Sequence, residues 1–146
     1  MRPALFDTSI YINSLRNRPR NQDDALVSSR RLRSGTLLWL SAVVLEELYA
    51  GASGRVRDSL ERMEREFDRM KRILVPNLGD WTETGRVLAR LAARYGHDKI
   101  GQGRLANDAL IAMSAARMGA TVITANERDF AKLAEFRSFQ WKLSVF

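Results

Sequence analysis

Two residue types that build many catalytic and structural sites are absent or nearly so. The 146 residues include no cysteine and a single histidine, His97. The lack of cysteine excludes disulfides, zinc–thiolate sites and thiol nucleophiles. One histidine cannot form a histidine metal cage, and it makes a Ser–His–Asp triad a poor explanation. A catalytic metal must therefore be held by oxygen atoms, which favours a hard cation such as Mg²⁺ or Mn²⁺.

Long apolar runs are also missing from the chain. The apolar stretch near the N-terminus ends at Asp7, which makes it too short for a signal peptide, and no later run is long enough to cross a bilayer. No glycine-rich phosphate loop follows that stretch, so a nucleotide-binding domain has no support. We expect a cytoplasmic protein with no membrane partner.

Positive charge is in excess. The chain has 24 lysines and arginines against 17 aspartates and glutamates, which gives a net charge of +7, and the basic residues are spread along the sequence. Most are arginine, whose geometry matches phosphate, so a polyanion partner such as nucleic acid is plausible. Charge that serves only solubility would look the same. Composition alone therefore does not select a function.

Short apolar segments alternate with amphipathic ones along the chain. The pattern predicts strands at Ala4–Phe6, Thr36–Leu40, Ile73–Val75, Thr121–Thr124 and near Gln140–Leu143. It predicts helices at Ile10–Asn17, Asp23–Ser34, Ser41–Ala50, Arg55–Met70, Asp80–Tyr95, Arg104–Met118 and Glu127–Glu135. Such alternation is typical of a parallel sheet covered on both faces. We predict one domain over residues 1–146, an α/β protein built as a three-layer α/β/α sandwich around a mostly parallel sheet.

Polar side chains fall where predicted strands end, which is where open parallel sheets gather functional residues. Asp7 follows the first strand, although an aspartate there also suits a helix N-cap. Asn126 and Asp129 follow the fourth strand, and each could simply cap or flank the short helix after it. Taken one at a time, these positions do not establish a site.

Two further acids lie on predicted helices. A helical wheel turns Glu46 toward solvent and places its neighbour Glu47 beside Val44, where it can point along an internal cleft; two ordinary surface glutamates are the alternative. Asp108 stands near the start of a helix that is apolar on most sides. Burying a carboxylate is costly unless it is paired or bound to a cation. The alternative for Asp108 is an acid that interacts with the helix dipole.

Acids gathered at one sheet edge repel one another, and some must take up protons unless a cation neutralises them. Such a cluster of acids predicts a divalent metal site. The order and surroundings of the residues resemble the PIN domain, most closely the VapC-like toxins. The matching segments cover nearly the whole chain, from Leu5 to Phe130, and are Leu5–Ser9, Glu47–Gly51, Asn107–Ala112 and Thr124–Phe130.

The resemblance implies a PIN-like fold and a ribonuclease whose acidic pocket binds Mg²⁺ or Mn²⁺. Asp7 and Asp108 match the core metal-binding aspartates of the family, and Glu47 matches the glutamate that completes the pocket. Asn126 falls where many members have a fourth acid and others have asparagine, and Asp129 matches an acidic position just beyond it. The hydroxyl residues that support such a pocket are matched by Thr8 and Thr124.

The chemistry implied is hydrolysis of RNA phosphodiester bonds by a metal-activated water. The family further implies a toxin–antitoxin pair, in which an extended antitoxin segment covers the acidic cleft, and homodimers are common. The charged helix before Arg72 carries a narrow apolar stripe of Leu60, Met63 and Phe67. That stripe either forms a dimer contact or packs within its own domain. An RNA-processing PIN nuclease without a toxin role and a catalytically silent RNA- or protein-binding PIN domain are the alternative functions.

Overall fold

The computed structural model describes residues 2–17, 36–99 and 103–144. The strands are β1 (Arg2–Phe6), β2 (Thr36–Ser41), β3 (Ile73–Leu74), β4 (Thr121–Thr124) and β5 (Trp141–Leu143). The helices are α1 (Thr8–Asn17), α2 (Ala42–Ala50), α3 (Gly54–Arg69), α4 (Leu78–Tyr95), α5 (Gly103–Met118) and α6 (Glu127–Ala134), with a 3₁₀ turn at His97–Lys99. Among these helices, none combines the length and the apolar character that a bilayer crossing requires.

Each predicted element within the described residues is present, with ends that differ by two residues or fewer. The helix predicted over Asp23–Ser34 lies outside the described residues. The start of α4 shows why ends are hard to place: Asn77, not Asp80, is its N-cap, and Asp80 is the third residue of the resulting capping box. Both side chains suit a cap, so the sequence favours them equally.

All five strands are parallel and lie in the order β3-β2-β1-β4-β5. The chain moves outward from β1 to β3 on one side and then returns to add β4 and β5 on the other. The carboxyl ends of β1 and β4 therefore meet at the topological switch point, where open α/β sheets leave a crevice for ligands. The predicted α/β class with a parallel central sheet is confirmed.

Both faces of this sheet are covered. The consecutive residues Ala4–Phe6 of β1 and Val122–Thr124 of β4 are each no more than 4% exposed. Successive side chains of a strand point to opposite faces, so burial of consecutive residues requires packing on both sides. The three-layer arrangement follows from that.

The apolar stripe of α3 packs inside its own chain. Leu60, Met63 and Phe67 are at most 2% exposed and belong to the main hydrophobic core, and α3 contacts β2. The interpretation of this stripe as a dimer contact is therefore wrong. A narrow apolar stripe on a charged helix is what packing on one sheet face requires, and the sequence does not tell which surface covers it.

An ion pair joins the start of α4 to the end of α5. The Asp80 side chain is buried, and both of its carboxylate oxygens accept hydrogen bonds from Arg117 Nε, at 3.0 and 2.9 Å. Arg117 Nη2 also donates to the carbonyl oxygen of Val75, just after β3, at 3.3 Å. The Asp80 carboxylate also accepts a hydrogen bond from the backbone N–H of Asn77 in the capping box, so it connects the start of α4 with α5.

Replacing Asp80 with alanine should lower the free energy of unfolding by about 2–3 kcal/mol, because one hydrogen bond of the capping box is lost and Arg117 loses its partner. Urea denaturation measures this change. The matched control is Glu83→Ala, which removes a partly exposed acid one turn later on α4 whose carboxylate lies 3.5 Å from Arg86 and 4.0 Å from Arg137. The control substitution should lower the free energy of unfolding by less than about 1 kcal/mol. Equal losses in the two variants would contradict the structural role given to Asp80.

Candidate functional site

A cavity of about 480 Å³ opens at the switch point between β1 and β4. Four carboxylates from four segments distant in sequence line it, and the side chain of Asn126 lies among them. The acids are Asp7, Glu47, Asp108 and Asp129. The fold therefore brings together all five polar residues that the sequence analysis selected as candidate site residues.

Asp7 stands between β1 and α1, and its side chain is only 1% exposed. Its carboxylate accepts hydrogen bonds from Ser9 Oγ at 2.6 Å and from Thr124 Oγ1 at 2.7 Å, and also from the backbone N–H groups of Ser9 and Ile10. Asp7 therefore accepts hydrogen bonds from backbone N–H groups at the start of α1 and also lines the cavity. Burial raises the pKa of this carboxyl above its ordinary value, and the hydrogen bonds only partly oppose that effect.

The two adjacent glutamates of α2 differ as the helical wheel predicts. Glu46 is exposed, whereas Glu47 is partly buried and lines the cavity. The Thr8 hydroxyl donates a hydrogen bond of 2.5 Å to Glu47 Oε1 and so connects the start of α1 with α2. The orientation of Glu47 is therefore fixed by a neighbour that also lines the cavity.

Asp108 lies in the second turn of α5 and is 5% exposed, while the first turn of that helix carries no acid. Because helix-dipole effects fall off within the first turn, the dipole alternative does not explain its position. The side-chain nitrogen of Asn126 donates to one oxygen of Asp108 at 3.3 Å and to one oxygen of Asp129 at 3.0 Å. Asn126 makes no side-chain cap to α6, so its amide serves the cavity.

The carboxylates of the cavity share one property: each accepts a hydrogen bond from a neutral hydroxyl or amide donor. In the described ranges, no group of three acidic or histidine side chains forms a ready-made metal cage. The Asn126 amide lies between Asp108 and Asp129 and donates to both, so it separates these two carboxylates. All the candidate donors are oxygen atoms, which is the chemistry that Mg²⁺ and Mn²⁺ prefer.

Several residues of the cavity wall were not predicted from the sequence. Ser9 Oγ donates to Asp7 and accepts from the backbone N–H of Ala125 at 3.0 Å, so it joins α1 to the end of β4. Arg128 and Lys132 bring positive charge to the same cavity, and Asn13 lines it as well. The four-residue spacing of Arg128 and Lys132 could have identified them, because it places both basic side chains on one side of α6, near Asp129.

The sequence and the fold of this chain resemble those of known proteins. The model of the PIN domain family matches residues 4–136. No match is found among curated proteins.

Solved structures similar to the chain include a DNA-bound VapBC from Salmonella typhimurium, with 22% identity, 98% of each chain covered and a TM-score of 0.63. VapBC2 from Rickettsia felis, bound to a DNA fragment from their promoter, shares 18% identity over 98% of this chain and 99% of that chain, with a TM-score of 0.62. VapBC-1 from nontypeable Haemophilus influenzae shares 25% identity over 96% of each chain, with a TM-score of 0.61.

The Asp7 carboxyl should destabilise the cation-free protein at neutral pH. Its pKa is raised by folding, so its favourable contribution is complete below the unfolded value of 3.8 and is lost as pH rises through the higher folded value. In the presence of a chelator, the free energy of unfolding of Asp7→Asn should therefore increase relative to that of wild type as the pH rises from 3.8 to neutrality. Denaturant unfolding at several pH values measures this difference. Thr124→Val removes a hydrogen-bond donor that lowers the pKa of Asp7. In this variant, the pH range over which the Asp7 carboxyl loses its favourable contribution should therefore extend to higher pH. Parallel pH profiles for wild type and Asp7→Asn would contradict the prediction.

Asn126→Asp should destabilise the protein in chelator by about 1–3 kcal/mol, because it removes a donor shared by two acids and adds a third negative charge. Addition of Mn²⁺ should then raise its melting temperature more than that of wild type. Asn13→Asp is the matched control, since it adds the same charge elsewhere on the cavity wall. If Asn13→Asp shows the same loss in chelator and the same gain with Mn²⁺, the amide bridge has no special role.

Proposed function

Because the chain belongs to the PIN domain family, we propose that it is a divalent-metal-dependent endoribonuclease and the toxin of a toxin–antitoxin pair. The observation that carries the proposal is the set of four acids on one cavity at the switch point. These acids come from the end of β1, from α2, from α5 and from α6. Core packing alone gives no reason to gather so many like charges, and a cation does.

The cavity suits Mg²⁺ or Mn²⁺ as its cofactor. Asp7, Asp108 and Glu47 are the residues that would hold the ion, and Asn126 and Asp129 complete the wall on the side of α6. A cation there would offset the burial that raises the pKa of Asp7. Neutral hydroxyl and amide groups donate to all four acids, and such donors satisfy a carboxylate without cancelling its charge.

Phosphodiester hydrolysis in such a site depends on the charge neutralisation and the more acidic water that a bound divalent cation supplies. The chain's own residues orient the acids for that role. The hydroxyls of Thr8 and Thr124 hold the carboxylates of Glu47 and Asp7 by hydrogen bonds, and the Asn126 amide holds Asp108 and Asp129. No side-chain nucleophile is required.

RNA is the proposed substrate, and an antitoxin protein is the proposed partner. The net charge of +7 favours a polyanion. The likeness to VapBC complexes, with nearly the whole of each chain covered, supports the toxin role and an antitoxin segment that covers the acidic cavity. We place the protein in the cytoplasm, and a homodimer is part of the proposal, with a contact surface other than the buried stripe of α3.

Two other functions share some of these features. An RNA-processing PIN nuclease would use the same cavity, and growth arrest on expression, relieved by an antitoxin, separates it from a toxin. A catalytically silent PIN domain is favoured by one observation, that the described acids do not form a ready-made metal cage. Uptake of Mn²⁺ by the purified protein separates that domain from a nuclease.

Incubation with total cellular RNA and Mg²⁺ should give discrete cuts that a chelator abolishes. Asp7→Asn and Asp108→Asn should each reduce cleavage by more than about 100-fold, because even partners of metal ligands contribute 10–100-fold. Glu47→Gln should also reduce cleavage, whereas Glu46→Gln, the exposed neighbour on α2, should leave it unchanged. Undiminished cutting by both aspartate variants would show that the site assignment is wrong.

A further inference from the structure

Helix α6 presents both signs of charge to the cavity. Asp129 lies on the cavity wall together with Arg128 and Lys132, which are four residues apart and therefore on one side of the helix. Phe130 and Leu133 are fully buried in the core. Because rotation of α6 would expose those two apolar side chains, its charged side is held toward the cavity.

Lys132 is held by an aromatic ring. Its Nζ lies 4.9 Å from the centroid of the Tyr95 ring, within the range of a cation–π interaction. Tyr95 is the last residue of α4, and its hydroxyl donates to Glu135 Oε2 at 2.6 Å. The ring that contacts Lys132 is thereby connected to the residue that follows α6.

A second cation near the same ring is bound differently. The Arg94 guanidinium carbon lies 5.6 Å from the Tyr95 centroid, and Arg94 Nη1 pairs with Glu135 Oε1 at 3.4 Å. For Lys132, no described carboxylate is within ion-pair distance, although four acids line the same cavity. Glu135 neutralises Arg94, whereas the Lys132 ammonium keeps its charge available to an anion that enters the cavity.

We propose that Lys132 binds a phosphate of the RNA in the cavity, and that Tyr95 is the positioning residue that holds the ammonium over its ring and away from the acids. This inference rests on the proposed function, because it takes a phosphodiester of single-stranded RNA as the occupant. The acids would lie on one side of that phosphate and Lys132 on the other. An ammonium paired with an acid would be neutralised before the phosphate arrived, and the ring prevents that.

Binding is measured without cleavage, by fluorescence anisotropy of a short single-stranded oligoribonucleotide with the Asp108→Asn protein in chelator. Lys132→Gln in that background should raise Kd about fivefold and reduce the slope of log K against log salt by about 0.7, the value for one lost contact with a single strand. Lys71→Gln removes the same charge before the amino end of β3, on the opposite side of the sheet from the cavity. That control should leave the slope unchanged.

The role of Tyr95 is tested by keeping or removing its ring. Tyr95→Phe keeps the ring and should bind RNA nearly as wild type does, whereas Tyr95→Leu should weaken binding in the same direction as Lys132→Gln. In a Lys132→Gln background, Tyr95→Leu should have no further effect, because its contribution passes through the lysine. Additive losses would show that Tyr95 acts only on stability, and would overturn the positioning role.

Failure of this inference differs from failure of the proposed function. If Lys132→Gln leaves Kd and salt slope unchanged while wild type cuts RNA in a metal-dependent way, the phosphate role of Lys132 is wrong and the nuclease stands. If the binding effects appear and no variant or wild type cuts RNA, Lys132 binds phosphate and the nuclease proposal is wrong.

Discussion

The gathering of four carboxylates in one cavity, two of them buried, is the constraint around which the switch point of this protein is organised. Four acids line one cavity, and each accepts a hydrogen bond from a hydroxyl or an amide. Neutral donors satisfy a carboxylate without cancelling its charge. Burial raises the pKa of Asp7, and its hydrogen bonds only partly oppose that effect. A cavity in this state favours the entry of a cation, and the rest of the site follows from that.

Much of this arrangement could be predicted from the sequence because it depends on local pattern. Alternating apolar strands and amphipathic helices determine a parallel sheet, and in such a sheet residues after β1 and β4 must lie at one edge. The choice of Glu47 over Glu46 needed only helical periodicity, and the structure agrees with it. Burial of a charge in an apolar helix pointed to Asp108 for the same kind of reason.

What escaped prediction depends on contacts between segments far apart in the chain. Lys132 and Tyr95 are separated by the whole of α5 and by β4, and no periodicity relates one to the other. The pairing of Asp80 with Arg117 spans 37 residues and likewise has no local signal. Asn126 was selected as a site residue, but nothing in its surroundings indicated that its amide would bridge two acids. For the stripe of α3, the sequence pattern predicted an apolar face but did not indicate which surface packs against it.

Helix α4 has a consequence for how this protein can change through evolution. Its beginning is attached to α5 through Asp80, and its last residue carries the ring that contacts Lys132. The two positions are about 22 Å apart along the helix axis. A single inserted or deleted residue between them would turn Tyr95 by about 100° and shift it by about 1.5 Å relative to the anchored end. Homologues are therefore expected to vary freely in the exposed side chains of this helix while keeping its number of residues constant.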